Sequence, residues 1–408
     1  MHFSQTTSGD CTPFEAFAAL VMSHDSIAAQ LAAVPDASDF VTAAIAVARA
    51  HGIGLPAASL QQALMPDVLG LSRWSAAPLT GTALPPRDWL PINLLAEAQA
   101  IVVDWAKLGA GPLRESFYED SIRRALISPF NRAFRYRTRL DDIVRQTNAE
   151  DCLMPDGFIF HMSRCGSTLV AQMLAAVPDN IVISEAAPLD AIVQLARHLP
   201  EETAIAALRA MIAVFGRKRG GREQHYFIKL DFWHPLALPL FRKAFPDVPW
   251  IFLYRDPTEV LVSQIRQRGM QMVPQFIPPS VYGIDPADCS LDEEYCARVL
   301  AAVCRAAIEH AGLQGGLFLN YRELPDAVFT KILAHFAVSF GEAEIAQMRE
   351  AAKRDAKSPY QSFAGDADDK RKAPTDAVRH AADRYLGEIY PRLERLAAAS
   401  GPRIRASA

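Results

Sequence analysis

Two short segments of this chain bring a cation, hydroxyls and a helix start together in the way an anion site requires. The first reads Phe160-His-Met-Ser-Arg-Cys-Gly-Ser-Thr-Leu-Val170. It follows an apolar run and opens a stretch of helical periodicity, which predicts a strand, a tight turn at Gly166 and a helix start. Backbone N–H groups converge at such a turn, and the helix dipole favours negative charge there. Arg164 adds a permanent charge with several donors, and Ser167 and Thr168 add hydroxyls. The phosphate loop of nucleotide hydrolases needs GxxxxGK followed by Ser or Thr. Here the first glycine is missing and Ser167 stands where that lysine belongs, which argues against ATP or GTP hydrolysis. A bare helix cap would need neither the arginine nor the glycine beside it.

The second segment reads Trp250-Ile-Phe-Leu-Tyr-Arg-Asp-Pro-Thr-Glu-Val-Leu-Val-Ser263-Gln-Ile-Arg266. A strand should end at Arg255, and Pro257 suits the first turn of the helix that follows. Ser263 and Arg266 lie three apart and share one helix face. Arg255 and Ser263, joined by Arg266, can converge on one phosphate; a solvated charge cluster is the alternative. Two further groups could do acid–base or charge work. Glu185 follows the run Ile181-Val-Ile183, and a carboxylate at a strand's C-terminal end lies where open α/β sheets bind ligands. Lys229 lies near the end of Tyr226-Phe-Ile-Lys-Leu230. Asp190 is a weaker base candidate. His234 beside Trp233 reads as packing, His161 as a satisfied core histidine, and Asp231 is undecided.

A layered scaffold must position these groups. From residue 156, short apolar runs at 157–161, 181–183, 226–230, 250–254 and 317–320 alternate with helical stretches at 168–176, 188–214, 235–245, 258–268 and 293–312. Such runs suit strands buried on both faces of a parallel sheet, and the alternation is that of an α/β domain. Residues 1–65 have helical rhythm and read as a small all-α extension. Prolines and glycines make 66–95 a linker, and 96–150 reads as a helical segment preceding the core. Residues 151–408 then form the catalytic domain, closed by a helical cap.

The 408 residues suffice for a core without a metal or disulfide staple. With 42 Lys and Arg against 46 Asp and Glu, the net charge is -4. That sets aside a strongly basic nucleic-acid surface. None of the six cysteines forms a CxxC pair, so no zinc site or disulfide framework is expected. The first residues lack a basic then apolar pattern, and no apolar run reaches the roughly 18 residues of a membrane span. A cytoplasmic protein without a membrane partner is expected.

The loop Ser163-Arg-Cys-Gly-Ser-Thr-Leu169 resembles the 5'-phosphosulfate loop of sulfotransferases that use 3'-phosphoadenosine 5'-phosphosulfate (PAPS). The resemblance covers about residues 156–385. It implies a three-layer α/β sandwich around a parallel sheet, like that of P-loop nucleotide kinases. It also implies PAPS as co-substrate with no metal, and transfer of a sulfonate to an acceptor hydroxyl or amine. Arg164, Cys165 through its N–H, Gly166, Ser167 and Thr168 would hold the phosphosulfate. Arg255, Ser263 and Arg266 would hold the 3'-phosphate. Lys370 and Arg371, within Phe363-Ala-Gly-Asp-Ala-Asp-Asp-Lys-Arg-Lys372, resemble the family's late basic loop over that phosphate. Glu185 would be the general base, as in the protein-tyrosine sulfotransferases, and Lys229 would stabilise the leaving oxygen. Cys165 stands where many bacterial members have serine; the departure is harmless if only its N–H is used, and sensitivity to oxidation is the alternative. Residues from Phe14 to Leu60 resemble the leader-peptide family of modified-peptide precursors linked to nitrogen-fixation genes, which makes a peptide acceptor one expectation. A kinase using ATP and a non-catalytic nucleotide-binding protein are the alternatives.

Overall fold

The computed structural model describes residues 12–65, 77–97, 100–147, 152–288, 293–354 and 374–399. Four helices come first: α1 (Pro13–Ser23), α2 (Asp25–Ala32), α3 (Ala37–Ala50) and α4 (Ala57–Ala63). Thr12 and Glu15 cap α1 reciprocally, and Asp36 accepts the first free N–H groups of α3. Their apolar sides bury Phe17, Leu31, Phe40 and Leu60. The rings of Phe14, Phe17 and Phe40 lie 6.1, 5.8 and 6.1 Å from that of Phe134, which anchors the helices to the next region.

That region departs from the sequence expectation. It contains β1 (Leu79–Thr80), β2 (Trp89–Glu97), β3 (Ala100–Lys107), α5 (Tyr118–Ile127), α6 (Pro129–Ala133), β4 (Tyr136–Arg139) and α7 (Leu140–Gln146). The strands form a sheet in the order β1-β4-β3-β2, with β2 and β3 antiparallel. The expected helix over 96–150 therefore begins as a strand. β3 is buried on both faces along most of its length, so its apolar run fits a helical period as well as a strand period. The β-branched run 101–103 is what favours the strand. The expected linker likewise enters the sheet at Leu79. Pro91 is tolerated there because it sits beside a bulge in an edge strand.

The second sheet carries the site. Its elements are β5 (Gly157–His161), α8 (Ser167–Ala175), β6 (Asn180–Ser184), α9 (Ala187–Leu195), α10 (Glu201–Phe215), β7 (His225–Lys229), α11 (Leu238–Ala244), β8 (Trp250–Tyr254), α12 (Pro257–Arg266), α13 (Glu293–Glu309) and β9 (Gly316–Asn320). After β9 come α14 (Leu333–His335), α15 (Glu342–Ala351), α16 (Asp376–Leu386) and α17 (Ile389–Ala399). The helix expected over 188–214 is two helices, because Pro200 caps the second and cannot continue the first. All five strands are parallel, in the order β6-β7-β5-β8-β9.

Every residue of β5, β6 and β8 is buried, so both faces of the sheet are covered and the fold is the expected α/β sandwich. Phe158 and Phe160, two apart on β5, both lie 5.5 Å from the Phe241 ring of α11. From β5 the chain builds first toward β6 and β7, then crosses back to β8 and β9. The crevice at the C-terminal end of β5 is thus a topological switch point, where such sheets bind ligands. Among the described residues no helix is long and apolar enough to cross a membrane.

Candidate functional site

The loop after β5 is held in an uncommon backbone shape. Ser163, Arg164 and Gly166 all have positive φ, at 74°, 51° and 85°. For the two non-glycine residues this costs roughly 1–2 kcal/mol each. Gly166 is required twice over. Besides its φ, a Cβ there would lie 2.7 Å from Leu324 and 2.8 Å from Tyr321. The Met162 N–H donates to the Leu253 carbonyl at 3.0 Å, and the Cys165 thiol to the same carbonyl at 3.1 Å. The loop is thereby sewn to β8. Burial pushes the Cys165 thiol up to about 12, so it stays protonated and shielded. Burial and a protonated thiol favour the reading in which Cys165 contributes only its N–H, because the thiolate is the form that oxidises readily. Ser167 and Thr168 are buried in the first turn of α8. Arg164 is half-buried and donates to the Gln267 carbonyl. Burial disfavours its charge, and the nearby Glu185 carboxylate offsets part of that.

Glu185 and Lys229 meet. Glu185 follows β6 with a φ of 51°, and its N–H extends the ladder to the Lys229 carbonyl at 2.8 Å. The Lys229 ammonium donates to Glu185 Oε1 and lies 4.9 Å from the centre of the Phe117 ring. The Lys229 side chain is fully buried, so it does not snorkel to solvent. Burial alone would raise the Glu185 pKa. Lys229 and His161 outweigh it and hold the carboxyl at about 2.

His161, read from sequence as core, is the residue that links these parts. Its Nδ1 accepts the Ser163 N–H at 3.1 Å. The ring proton therefore sits on Nε2, which faces the Leu230 carbonyl at 2.9 Å and Glu185 Oε1 at 3.4 Å. Burial holds the His161 pKa below its ordinary value, which keeps this neutral tautomer. No sequence signal separates it from a satisfied core histidine; only the neighbouring strand end does.

On the other side of β5, Arg255 leaves β8 and stacks on Tyr321, 4.2 Å from the ring centre. Its Nε donates to Glu259 at 2.6 Å. Ser263 is half-buried and Arg266 exposed on α12, while Arg255 is ion-paired with Glu259. Gln264, unpredicted and fully buried, donates to Ser163 Oγ at 2.8 Å and accepts the Gly269 N–H at 2.9 Å. It ties α12 to the loop. Lys370 and Arg371 lie outside the described residues.

Asp190 serves a different end from the base it could have been. It accepts hydrogen bonds from Trp233 at 2.7 Å, His234 at 3.0 Å and Gln194 at 2.6 Å. Burial would raise its pKa, but these partners hold it below the ordinary range. Asp231 is buried and pushed well above that range, first by burial and then by the charges of Glu185 and Asp190. Its Oδ1 accepts from Gln271 at 2.9 Å. Asp190, Asp231 and His234 offer atoms within 4.8 Å of one another, a grouping able to hold a divalent cation. The indole and amide donors already aimed at both carboxylates would compete with one.

No protein-family profile matches the chain, and no curated protein sequence matches it. Solved structures similar to it include a sulfotransferase domain from the Synechococcus PCC 7002 olefin synthase, at 17% identity and a TM-score of 0.33 over 62% of this chain and 97% of that one. A sulfotransferase domain from the curacin biosynthetic pathway is 16% identical, at 0.34 over 61% and 98%. A Mycobacterium avium sulfotransferase is 13% identical, at 0.37 over 60% and 80%.

Proposed function

We propose that this chain is a sulfotransferase that moves a sulfonate group from PAPS to an acceptor hydroxyl or amine. The observation that carries the reading is the convergence of Arg164, Glu185 and Lys229 on the C-terminal ends of three adjacent parallel strands, beside a loop shaped to present N–H groups. A base, a buried ammonium and an anion cradle are the parts that sulfonate transfer needs. Arg164, Gly166, Ser167, Thr168 and the Cys165 N–H would hold the phosphosulfate. Arg255 would meet the 3'-phosphate, assisted by Ser263 and Arg266, once it exchanges Glu259 for that phosphate.

The Glu185–Lys229 pair suggests how the base is switched on. A carboxylate with a pKa near 2 is a poor proton acceptor. PAPS brings Lys229 a second anionic partner, the phosphosulfate, whose bridging oxygen between sulfur and phosphorus gains negative charge as the bond to sulfur breaks. When the ammonium turns to it, burial makes Glu185 more basic. The acceptor oxygen then attacks sulfur as the bond from sulfur to the bridging oxygen breaks. The acceptor proton passes to Glu185. The electron pair of the broken bond stays on the 5'-phosphate of the leaving 3'-phosphoadenosine 5'-phosphate (PAP), where Lys229 and Arg164 neutralise it.

Calorimetric titration with PAP, and with AMP and Mg-ATP in parallel, tests the donor. PAP should bind more tightly than AMP, and Arg255→Ala should remove that preference. Mg-ATP binding with indifference to PAP would replace the proposal with a kinase.

A further inference from the structure

A cavity of about 330 Å³ lies between α9, β2 and the segment 277–281. Leu94, Ala191, Leu195, Trp233, Ile277 and Val281 make its apolar walls. Arg197 and His198 stand exposed at its rim, with no side-chain partner among the described residues. The cavity is coupled to the reaction centre by short steps. Trp233 and Gln194, both in its lining, donate to Asp190. Asp190 neighbours Asp231, whose pKa is in turn raised by Glu185. Glu185 itself stands two residues before α9 begins. The nine residues of α9 then run about 13 Å toward the rim.

Building on the sulfotransferase reading, we propose that this cavity receives the acceptor, and that the acceptor is an elongated, largely apolar alcohol with an anionic group at the end far from its hydroxyl. Apolar walls penalise an unpaired polar group, so the body of the molecule is apolar. The volume is at the small end of ligand pockets, which run from about 300 to 1,000 Å³. It therefore suits one chain or ring rather than a folded segment. The hydroxyl has to reach Glu185 at the start of α9, which places the other end beside Arg197, where a carboxylate finds charge, and the His198 ring. The Arg197 cation also suits the C-terminal dipole of α9, so the test separates binding from helix stability.

The probes are 8-hydroxyoctanoate and 1-octanol, which share a chain and differ in the carboxylate. Each is titrated calorimetrically into the full chain with and without saturating PAP. The hydroxy acid should bind about three- to fivefold more tightly, the range of an exposed ion pair, and Arg197→Ala should abolish the difference. Ala191→Trp and Val281→Trp fill the cavity from opposite walls. Either should weaken both probes at least about tenfold by excluding apolar chain while PAP affinity is unchanged. That unchanged affinity also certifies that the variant folds. Equal affinity of the two probes for the parent protein, or unaltered probe binding in both tryptophan variants, overturns the inference. Cavity-dependent probe binding without any PAP binding would instead leave the cavity standing and remove the donor reading.

Discussion

In the five-stranded sheet the catalytic candidates hang at or just beyond the C-terminal ends of strands whose bodies are apolar. The four-stranded sheet keeps its charges within the strands. Asp104 of β3 is almost fully buried and takes two hydrogen bonds from Arg137 of β4, at 2.6 and 3.0 Å. That bidentate contact raises the Arg137 pKa. Both sheets therefore own an acid paired with a cation, Asp104 almost fully buried and Glu185 partly exposed, and the pairs differ in what surrounds them. Asp104 and Arg137 lie opposite each other in the β3–β4 register, so their partnership is fixed by the ladder. Glu185 sits one residue past its strand, in a left-handed backbone conformation, beside a loop that can bring Lys229 another anion. A charge inside a ladder holds the sheet in register; a charge just beyond one is free to exchange partners.

The sharpest test of that difference is to neutralise each acid. Glu185→Gln should lower turnover by about 10²–10⁴-fold, the usual worth of a general base, with PAP affinity retained. Asp104→Ala should do the reverse. It leaves Arg137 with only the half-exposed Glu97 as partner and should cost about 1.5–3 kcal/mol of stability in denaturant unfolding, the worth of hydrogen bonds to a charged group, with turnover per folded molecule unchanged. Retained turnover in the first, or selective loss of turnover in the second, would erase the contrast. A smaller effect is expected at Arg255. Arg255→Ala should weaken PAP by about tenfold, the loss of a charge-assisted contact, and leave AMP alone.

The smallest effects are those of pH on stability, and they have opposite signs. Asp231 is raised by burial and by its acidic neighbours, so the fold favours its neutral form. Its contribution is complete below the ordinary carboxylate range and is lost as pH rises through the raised folded pKa. Asp231→Asn should thus melt higher than the parent at pH 8 and close to it at pH 4. The Glu185 carboxyl, depressed to about 2, contributes above the ordinary value of 4.5 and loses that contribution as pH falls from there toward 2. In Glu185→Gln melts, this acid limb should flatten. A steeper acid limb would mean that the pair with Lys229 does not form in solution.

The parallel sheet could be read in the sequence because its strands are short apolar runs set off by turns and helices. The tight turn after β5 was equally legible, since a glycine between an arginine and two hydroxyls at a helix start is a local pattern. Glu185 and Lys229 could be named separately, but their contact could not, because it depends on β6 and β7 pairing across 44 positions of chain. His161 and Gln264 were invisible for a related reason: each looks like a buried polar side chain until the neighbouring element is in place. β3 reads as helix because a strand buried along most of its length satisfies both periodicities, and most of β2 reads as linker because its run carries Pro91 after Pro85 and Pro86. The linker reading conceals one wall of the cavity, since Leu94 belongs to β2.

The Ser163 amide belongs to a surface-lying loop, where N–H groups ordinarily exchange with deuterium quickly. Its proton is instead donated to the buried imidazole of His161, whose other nitrogen is anchored to the Leu230 carbonyl just beyond β7. To exchange, it must wait for the ends of β5 and β7 to separate. In hydrogen–deuterium exchange, this amide, like that of Met162 on the Leu253 carbonyl, should therefore keep time with the sheet rather than with the rest of the loop.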